Sequence, residues 1–387
     1  MKVLVIILIN NSLKKSKFFL FNKILISVLL GSLWLIKGWG IVFSPFIIIV
    51  LKHATKNQRV FLALIYFATG SYGLINAYQR FFHDNHYLLA VLCWLGCSII
   101  LAIPWFWYSN TKRLFIILLL EAIPPFGIIG WLSPIHALGF WYPGSGILGL
   151  ILGIITFIFL DKYYWQGLIV CLTIGCSLNL FTQPPTSPIN WQGINTEIKP
   201  NVTSLDATEY IIQSLSTLKP VNNTLVIYPE TIINNWQLGT RILLEHSLQF
   251  DGNILLGVTL QHQDGYEDAI VIVNHGVAEP IPLFFSVLPT PLSMWNPFLT
   301  LSYHAHWWPI TREIQGVRVN AIICYDQLLV WPWLTLLFTH PQVILTISNE
   351  WWSNNSSIPD IQLRCRQAWS RLLGRPIIEA RNTLRNN

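Results

Sequence analysis

The stretch NAIICYDQLLVWPW, residues 320–333, joins an apolar strand pattern, a cysteine and a run compatible with a helix. Small and β-branched residues lead up to Cys324, and Tyr325 and Asp326 follow it. This order predicts a sharp turn from strand to helix, which presents backbone N–H groups to an oxyanion and lowers the pKa of the thiol. Cys324 is therefore a candidate nucleophile. An inert core cysteine and a disulfide to Cys365 are the alternatives.

The composition is too apolar for an ordinary soluble protein. Hydrophobic residues make up 53% of the 387 residues and charged residues only 11%, with a mean hydropathy of +0.49. Residues 1–181 carry a formal charge of +10, whereas residues 182–387 carry −4. These values predict a membrane protein with an attached domain. The basic excess flanks apolar runs, where it sets topology, so no nucleic-acid-binding patch is implied.

Apolar runs of about 20 residues, long enough to cross a bilayer, recur in the first half. We predict about seven spans, the first two short enough to form a hairpin instead, near residues 19–36, 39–52, 60–78, 87–107, 114–132, 143–160 and 165–181. Basic residues concentrate in alternate connections, at Lys14, Lys15, Lys17, Lys52, Lys56, Arg59, Lys112, Arg113 and Lys162. The positive-inside rule makes these connections cytoplasmic, which puts residues 182–387 on the non-cytoplasmic side of the inner membrane.

The proline-rich stretch TQPPTSP, residues 182–188, predicts a domain boundary. We expect a membrane domain at 1–181, a linker at 182–190 and an α/β domain at 191–387. Buried strands are predicted at 224–230, 253–260, 269–274, 317–325 and 343–348, and amphipathic helices near 205–218, 238–249 and 359–374.

Two further motifs also end predicted strands with polar groups. In VIYPETIINNW, Glu230 follows an apolar strand and can act as a general base if partial burial raises its pKa. An exposed loop acid is the alternative. In ILTISNEWW, Asn349 and Glu350 end a strand before a long helix, which leads to GRPIIEARNT and a new strand after Pro376. Taken alone, that segment is a capped helix with surface arginines.

Taken together and in this order, YPE, ICYD, SNEWW and GRPIIEARNT resemble the nitrilase superfamily, whose catalytic triad is a glutamate, a lysine and a cysteine. With its apolar first half the chain resembles the apolipoprotein N-acyltransferase branch. Within that branch, LPTPLSMWNPF (288–298), QAWSRLLGRP (367–376) and EAIPPFGIIGW (121–131) are similar to TraB-type conjugal transfer proteins of plasmids. The resemblance implies an α-β-β-α nitrilase-like sandwich in which Glu230 is the base and Cys324 the nucleophile.

The lysine of the triad does not carry over. Its segment corresponds to VLPTPLSMW, its position falls near Ser286, and no lysine follows Lys219. The second glutamate of the family is also absent, with Ser293-Met294-Trp295 in its place. Arginine neither fits the same space nor gives up a proton. Candidate substitutes that could supply positive charge are Arg312, Arg318, His304 and His306.

Aromatic and polar residues near these motifs are candidates for the pocket. The tryptophans could form an apolar mouth that admits an acyl chain, although interfacial anchoring or core packing gives the same composition. The candidates are Tyr325, Asn349, Glu350, Trp351, Trp352 and Trp295. His304 and His306 have no third ligand at a suitable spacing, so we predict no metal site.

The predicted fold is thus a polytopic α-helical membrane domain followed by an α-β-β-α nitrilase-like sandwich, which ends earlier at Asn387 than the acyltransferases do. We expect a protein of plasmid conjugal transfer that performs acyl transfer, or amide or ester cleavage, through a Cys324 thioester without a cofactor. The expected partners are the lipid bilayer, a phospholipid acyl donor or an envelope protein, and the conjugation apparatus. The alternative is a non-catalytic envelope scaffold with a degenerate active site.

Overall fold

A computed structural model of the protein describes residues 20–36, 39–82, 86–188, 190–200, 202–218, 224–247, 250, 252–274, 277–279, 281–353 and 356–384. The predicted cytoplasmic lysines Lys14, Lys15 and Lys17 lie outside these residues.

Nine helices in the described part of the first half precede the sandwich. Apolar residues fill most of their length, and several are interrupted by prolines or glycines that prevent a continuous helix. Their bounds are α1 Leu20–Ser32, α2 Ile47–Lys52, α3 Lys56–Gly70, α4 Leu74–Phe81, α5 Tyr87–Ala102, α6 Thr111–Ala122, α7 Leu138–Trp141, α8 Gly146–Lys162 and α9 Trp165–Phe181.

Only one helical segment of the described residues, Tyr87–Trp107, is long and apolar enough by itself to cross a membrane. The number rises to three if each of two bent pairs is one span. These pairs are α3 with α4, bent by 55°, and Pro134–Trp141 with α8, bent by 119°. The other predicted spans form helices that are shorter or broken. About seven crossings therefore remain a prediction.

The basic connections meet at one end of the helical half. Asp161, at the end of α8, accepts hydrogen bonds from Lys52 Nζ at 2.6 Å and from Tyr108 Oη at 2.6 Å. The guanidinium of Arg59 lies 5.5 Å from the centre of the Tyr108 ring. The other end of α8 touches the sandwich, where Gly144 N–H donates to the carbonyl of Arg371 at 2.6 Å. Since α8 has 17 residues, the two ends are separated by roughly 25 Å.

Two mixed sheets form the second half. The first has the order β1-β2-β3-β4-β5, with β6 also paired to β4, and the second has the order β10-β9-β8-β7. The strands are β1 Trp191–Gly193, β2 Leu225–Ile227, β3 Asn253–His262, β4 Gly265–Asn274, β5 Val277–Ala278, β6 Phe284–Phe285, β7 Thr311–Ile314, β8 Val317–Ile323, β9 Val343–Asn349 and β10 Ile377–Asn382. All five predicted strands are confirmed, as is the strand expected after Pro376, which is β10, while β1, β5, β6 and β7 were not predicted.

The alternation of apolar side chains along each strand fills layers on both faces of each sheet. In β2, Leu225 and Ile227 face a core shared with the second sheet, and Val226 faces α10 Ser204–Ser216 and α11 Leu238–Ser247. The outer face of the second sheet packs on α12 Val330–Thr339 and α13 Ile358–Leu373. The predicted helices α10, α11 and α13 are confirmed, and the layers form an α-β-β-α sandwich.

The sandwich packs directly on the helical half through α13 and the turn after β8. The Tyr325 hydroxyl donates to the carbonyl of Ile128 at 2.6 Å and accepts from Trp131 Nε1 at 2.6 Å. Trp369 Nε1 donates to Nδ1 of His136 at 2.9 Å. These contacts tie the turn that carries Cys324 to the helices.

Candidate active site

Cys324 lies at the sharp turn that the sequence predicts. It directly follows β8, begins the 3₁₀ helix Cys324–Leu328 and has a φ of +43°. This left-handed conformation is strained for a residue with a Cβ and is found at functional turns. The thiol does not have the lowered pKa that we expected. Burial and then the neighbouring Glu230 charge raise the pKa of Cys324 well above its usual value.

Glu230 is a buried group in contact with this thiol, not an exposed loop acid. It is 3% exposed, and its Oε2 accepts the Asn349 N–H at 2.7 Å. The Cys324 thiol lies against the same carboxyl group. Burial raises the pKa of Glu230 to about 7, whereas the neighbouring Cys324 thiol, Asp268 and the Asn349 N–H act to lower it. Gly257 permits the approach, since a Cβ there would lie 2.6 Å from Glu230 Cα.

Glu230 and Cys324 line one cavity of about 350 Å³, here called the site cavity. Three of the predicted pocket residues, Asn349, Trp351 and Trp352, also line it. An adjoining apolar cavity of about 430 Å³ is lined by Tyr325 and Trp295 instead. Thr290 and Trp352 line both cavities, so the two cavities are neighbours.

Glu350 does not line the site cavity, although it directly follows Asn349. It is 2% exposed and accepts the Ser348 hydroxyl at 2.8 Å. Arg366 and Arg381 lie 3.9 and 3.6 Å from its oxygens. We therefore assign Glu350 to a buried ion-pair network that supports the end of β9.

The two candidate arginines lie far from Cys324. Arg318 is next to the first residue of β8, six residues before the cysteine, which corresponds to roughly 20 Å along an extended strand. Arg312 pairs with Val319 in the β7–β8 register, and its Nε donates to the carbonyl of Leu283 at 3.3 Å. Neither lines the site cavity.

The two histidines are directed toward surface acids. His304 Nε2 lies 3.9 Å from a carboxylate oxygen of Asp264, and His306 Nε2 lies 3.4 Å from Glu267. His306 also stacks on Phe285, with ring centres 4.2 Å apart. Since neither histidine lines the site cavity, the structure brings none of the four cation candidates to Cys324.

Several site residues were missed by the sequence reasoning. Lys199, in the irregular segment after β1, lines the site cavity although it precedes both predicted motifs. Tyr303 also lines it, with its hydroxyl 3.2 Å from the Thr259 hydroxyl. Asp268, buried in β4 opposite Thr259, lies beside Glu230 behind the cavity. Only Asp268 carried a signal, since an acid inside a buried apolar strand is unusual.

The segment that corresponds to the lysine motif binds an acid instead. Asp326 accepts the N–H groups of Val287 and Leu288, both at 2.8 Å, and the Ser286 hydroxyl at 3.3 Å. Burial nevertheless raises the pKa of Asp326 to about 7. The interior beside Cys324 therefore contains three carboxyl groups, Glu230, Asp268 and Asp326.

These three acids predict that stability falls as the pH rises. Burial raises the pKa of each carboxyl, so above their ordinary values near 4 the folded protein holds more protons than the unfolded chain. The contribution of these groups to the free energy of unfolding is then highest below about pH 4 and declines as the pH rises, through about pH 7 for Glu230 and Asp326. Tryptophan-fluorescence melting in detergent should give a higher midpoint at about pH 5 than at about pH 8, with a smaller difference in Asp326→Asn. A midpoint that increases over this range contradicts the prediction.

Two mixed sheets between helical layers, with a glutamate and a cysteine in one cavity, form the arrangement that the resemblance to nitrilases predicts. No family model matches the chain. The similarity to TraB-type conjugal transfer proteins is confirmed. The chain is 27% identical to the conjugal transfer protein TraB of Agrobacterium fabrum (93% of this chain, 92% of that protein). It is 26% identical to a probable conjugal transfer protein TraB of Sinorhizobium fredii (86% and 89%).

Solved structures similar to the chain include two proteins described as members of the nitrilase or CN-hydrolase superfamily. One is an amidase of the nitrilase superfamily from Nesterenkonia, with 12% identity, a TM-score of 0.35 and coverage of 49% of this chain and 74% of that one. Another is a CN-hydrolase superfamily protein from Xanthomonas campestris, with 17% identity, a TM-score of 0.29 and coverage of 41% and 62%.

Proposed function

We propose that this protein is a membrane-anchored acyl-transfer enzyme of plasmid conjugal transfer that works through a Cys324 thioester. The observation that carries the proposal is that Cys324 and Glu230 line one cavity, which adjoins an apolar one. The first cavity suits an ester or amide carbonyl, and the second suits an acyl chain. A phospholipid or an acylated envelope protein combines both groups.

In the proposed reaction Glu230 accepts the thiol proton as the sulfur attacks the ester carbonyl carbon. The tetrahedral oxyanion collapses, the bond to the leaving alcohol breaks, and Glu230 returns the proton to that alcohol. An amine or water then attacks the thioester, again with Glu230 as base. The hydroxyl of Tyr303 and the ammonium of Lys199 are among the side-chain donors that line the cavity and are available to the oxyanion.

The proposed location is the inner membrane, with the sandwich on the non-cytoplasmic side. The basic connections around Asp161 lie at one end of α8, and the Gly144–Arg371 contact with the sandwich lies at the other end. This separation supports the proposed arrangement, because positively charged connections favour the cytoplasmic side. The apolar segment at Leu292, Phe298 and Leu299, which is largely exposed, would then face the lipid from which an acyl donor arrives.

The test is intact-mass measurement of detergent-purified protein after incubation with phospholipid. We expect a hydroxylamine-sensitive acyl adduct on the wild type and none on Cys324→Ala, whereas Cys365→Ala, with its buried thiol in α13, retains the adduct. The absence of any adduct on folded wild-type protein contradicts phospholipid acyl transfer and supports the non-catalytic scaffold. The scaffold alternative is supported by the lack of contact between Cys324 and the four predicted cations.

A further inference from the structure

Asp268 is a buried carboxyl group to which the thioester mechanism gives no role. It lies in β4 and is 2% exposed. In the β3–β4 register it is opposite Thr259, so both side chains leave the same face of the sheet, and Thr259 lines the site cavity. No N–H or O–H group of the described residues, other than a proton shared with the carboxyl of Glu230, is available to either oxygen of Asp268.

Two buried carboxyl groups in contact cannot both ionise, so the pair holds a proton at neutral pH. The hydrogen bonds decide which residue holds it. Glu230 accepts the Asn349 N–H and the Cys324 thiol, both of which favour its ionised form. Asp268 has neither donor, and burial together with the Glu230 charge raises its pKa well above the usual range. The proton therefore lies on Asp268, between it and Glu230.

We propose that Asp268 is a positioning residue whose protonated carboxyl group donates a hydrogen bond to Glu230 and keeps Glu230 ionised in a cavity whose described lining residues include no buried cation. The inference rests on the proposed function, because it concerns the base that activates Cys324. In this role the neutral carboxyl group of Asp268 stabilises the ionised form of Glu230, as a neighbouring positive charge would.

The proton on Asp268 is not consumed in the reaction. The thiol proton moves from Cys324 to Glu230 as the carbon–sulfur bond forms, and it leaves with the alcohol when the carbon–oxygen bond breaks. During both steps Asp268 keeps its own proton and its hydrogen bond to Glu230. Loss of that proton would leave two carboxylates in contact, which raises the energy of the ionised base and displaces it from the thiol.

Other titratable groups near Asp268 and Glu230 also affect which of the two carboxyl groups holds the proton. The carboxyl of Asp326 lies near it on the turn after Cys324 and adds negative charge. Tyr303 is close by, and burial raises the pKa of its hydroxyl to about 12, so it stays neutral. On the Glu230 side, Glu350 adds a further negative charge that Arg366 and Arg381 offset. No lysine, arginine or histidine among the described residues forms an ion pair with Asp268.

Two substitutions at this position separate a donor role from a structural one. In Asp268→Asn the amide N–H donates to Glu230 at every pH, so we expect near wild-type acylation at pH 7 and loss of the decline in rate at high pH. In Asp268→Ala no donor remains. The rising limb of the plot of acylation rate against pH, which follows Glu230 ionisation, then moves up by about one pH unit. The rate at pH 7 then falls about fivefold. A purely structural role predicts equal losses in both variants with unmoved limbs, and that result overturns the proposal.

A second measurement does not depend on activity. The infrared difference spectrum of Cys324→Ala minus Cys324→Ala/Asp268→Asn, recorded at about pH 8, should contain the carbonyl band of a protonated carboxyl that shifts in heavy water. The matched control is Asp264→Asn, an exposed acid in the turn of the same hairpin, which should give no band. A missing band at Asp268 contradicts the inference even if the Cys324 adduct forms. A band without any adduct in the wild type contradicts the proposed function and leaves the hydrogen-bonded pair intact.

Discussion

Replacing Glu230 with glutamine should lower the rate of Cys324 acylation by about two to four orders of magnitude, which is the usual contribution of a positioned general base. Glutamine has nearly the same shape and can still accept the Asn349 N–H through its carbonyl oxygen. It cannot accept the thiol proton. The effect is expected to be large here because burial holds the Cys324 thiol protonated at neutral pH, so that attack requires a base in contact.

The rate is measured as the growth of the hydroxylamine-sensitive adduct by intact mass. Glu313→Gln is the matched control, since Glu313 is an exposed glutamate in β7 and should leave the rate unchanged. Melting curves should show that Glu230→Gln is folded and no less stable than the wild type above about pH 7, because it removes a carboxylate that burial disfavours. An unchanged acylation rate in this variant would exclude Glu230 as the base.

The second large effect is expected from Arg366→Met, on stability. Arg366 is 1% exposed and donates to Gln327 at 2.6 Å, while its other nitrogen lies 3.1 Å from Glu379. Its removal leaves the 2%-exposed Glu350 with one partner fewer. Loss of one member of a buried ion pair decreases the free energy of unfolding by about 3–5 kcal/mol.

For a domain of this size that loss corresponds to a decrease of the melting midpoint on the order of 10 °C. Arg318→Met, at an exposed arginine in β8, is the control and should change the midpoint little. The double variant Arg366→Met/Glu350→Gln should recover part of the loss, because it no longer contains the uncompensated buried carboxylate. A midpoint in Arg366→Met equal to that of the wild type would show that the network does not stabilise the sandwich.

Local patterns in the sequence determined much of the sandwich. The runs at 253–260 and 343–348 became β3 and β9, and the amphipathic pattern at 359–374 became α13, which ends at Gly374 with a φ of +61°. The turn at Cys324 also followed from its neighbours, because an apolar strand pattern meets a helix-compatible run there. These features depend on how often apolar side chains recur along a strand or a helix, and that spacing can be read from consecutive residues.

The length of the membrane spans was less well determined. Hydropathy predicted continuous runs such as 60–78, whereas the structure bends by 55° between α3 and α4 within that run. A hydropathy average does not report such a break, because the residues on both sides of the bend are equally apolar. Only the path of the backbone distinguishes one long helix from two shorter ones.

The sequence by itself determined the longer strands and most helices of the sandwich. It also identified the candidate pair, Glu230 and Cys324, through their resemblance to known motifs. Tertiary structure alone decided what surrounds that pair. It placed Arg318 near the far end of β8 and Asp268 against Glu230, because strand register and sheet order determine which distant residues meet. Since register is a relation between segments, no single segment contains it, and the acidic character of the site appears only when the strands are paired.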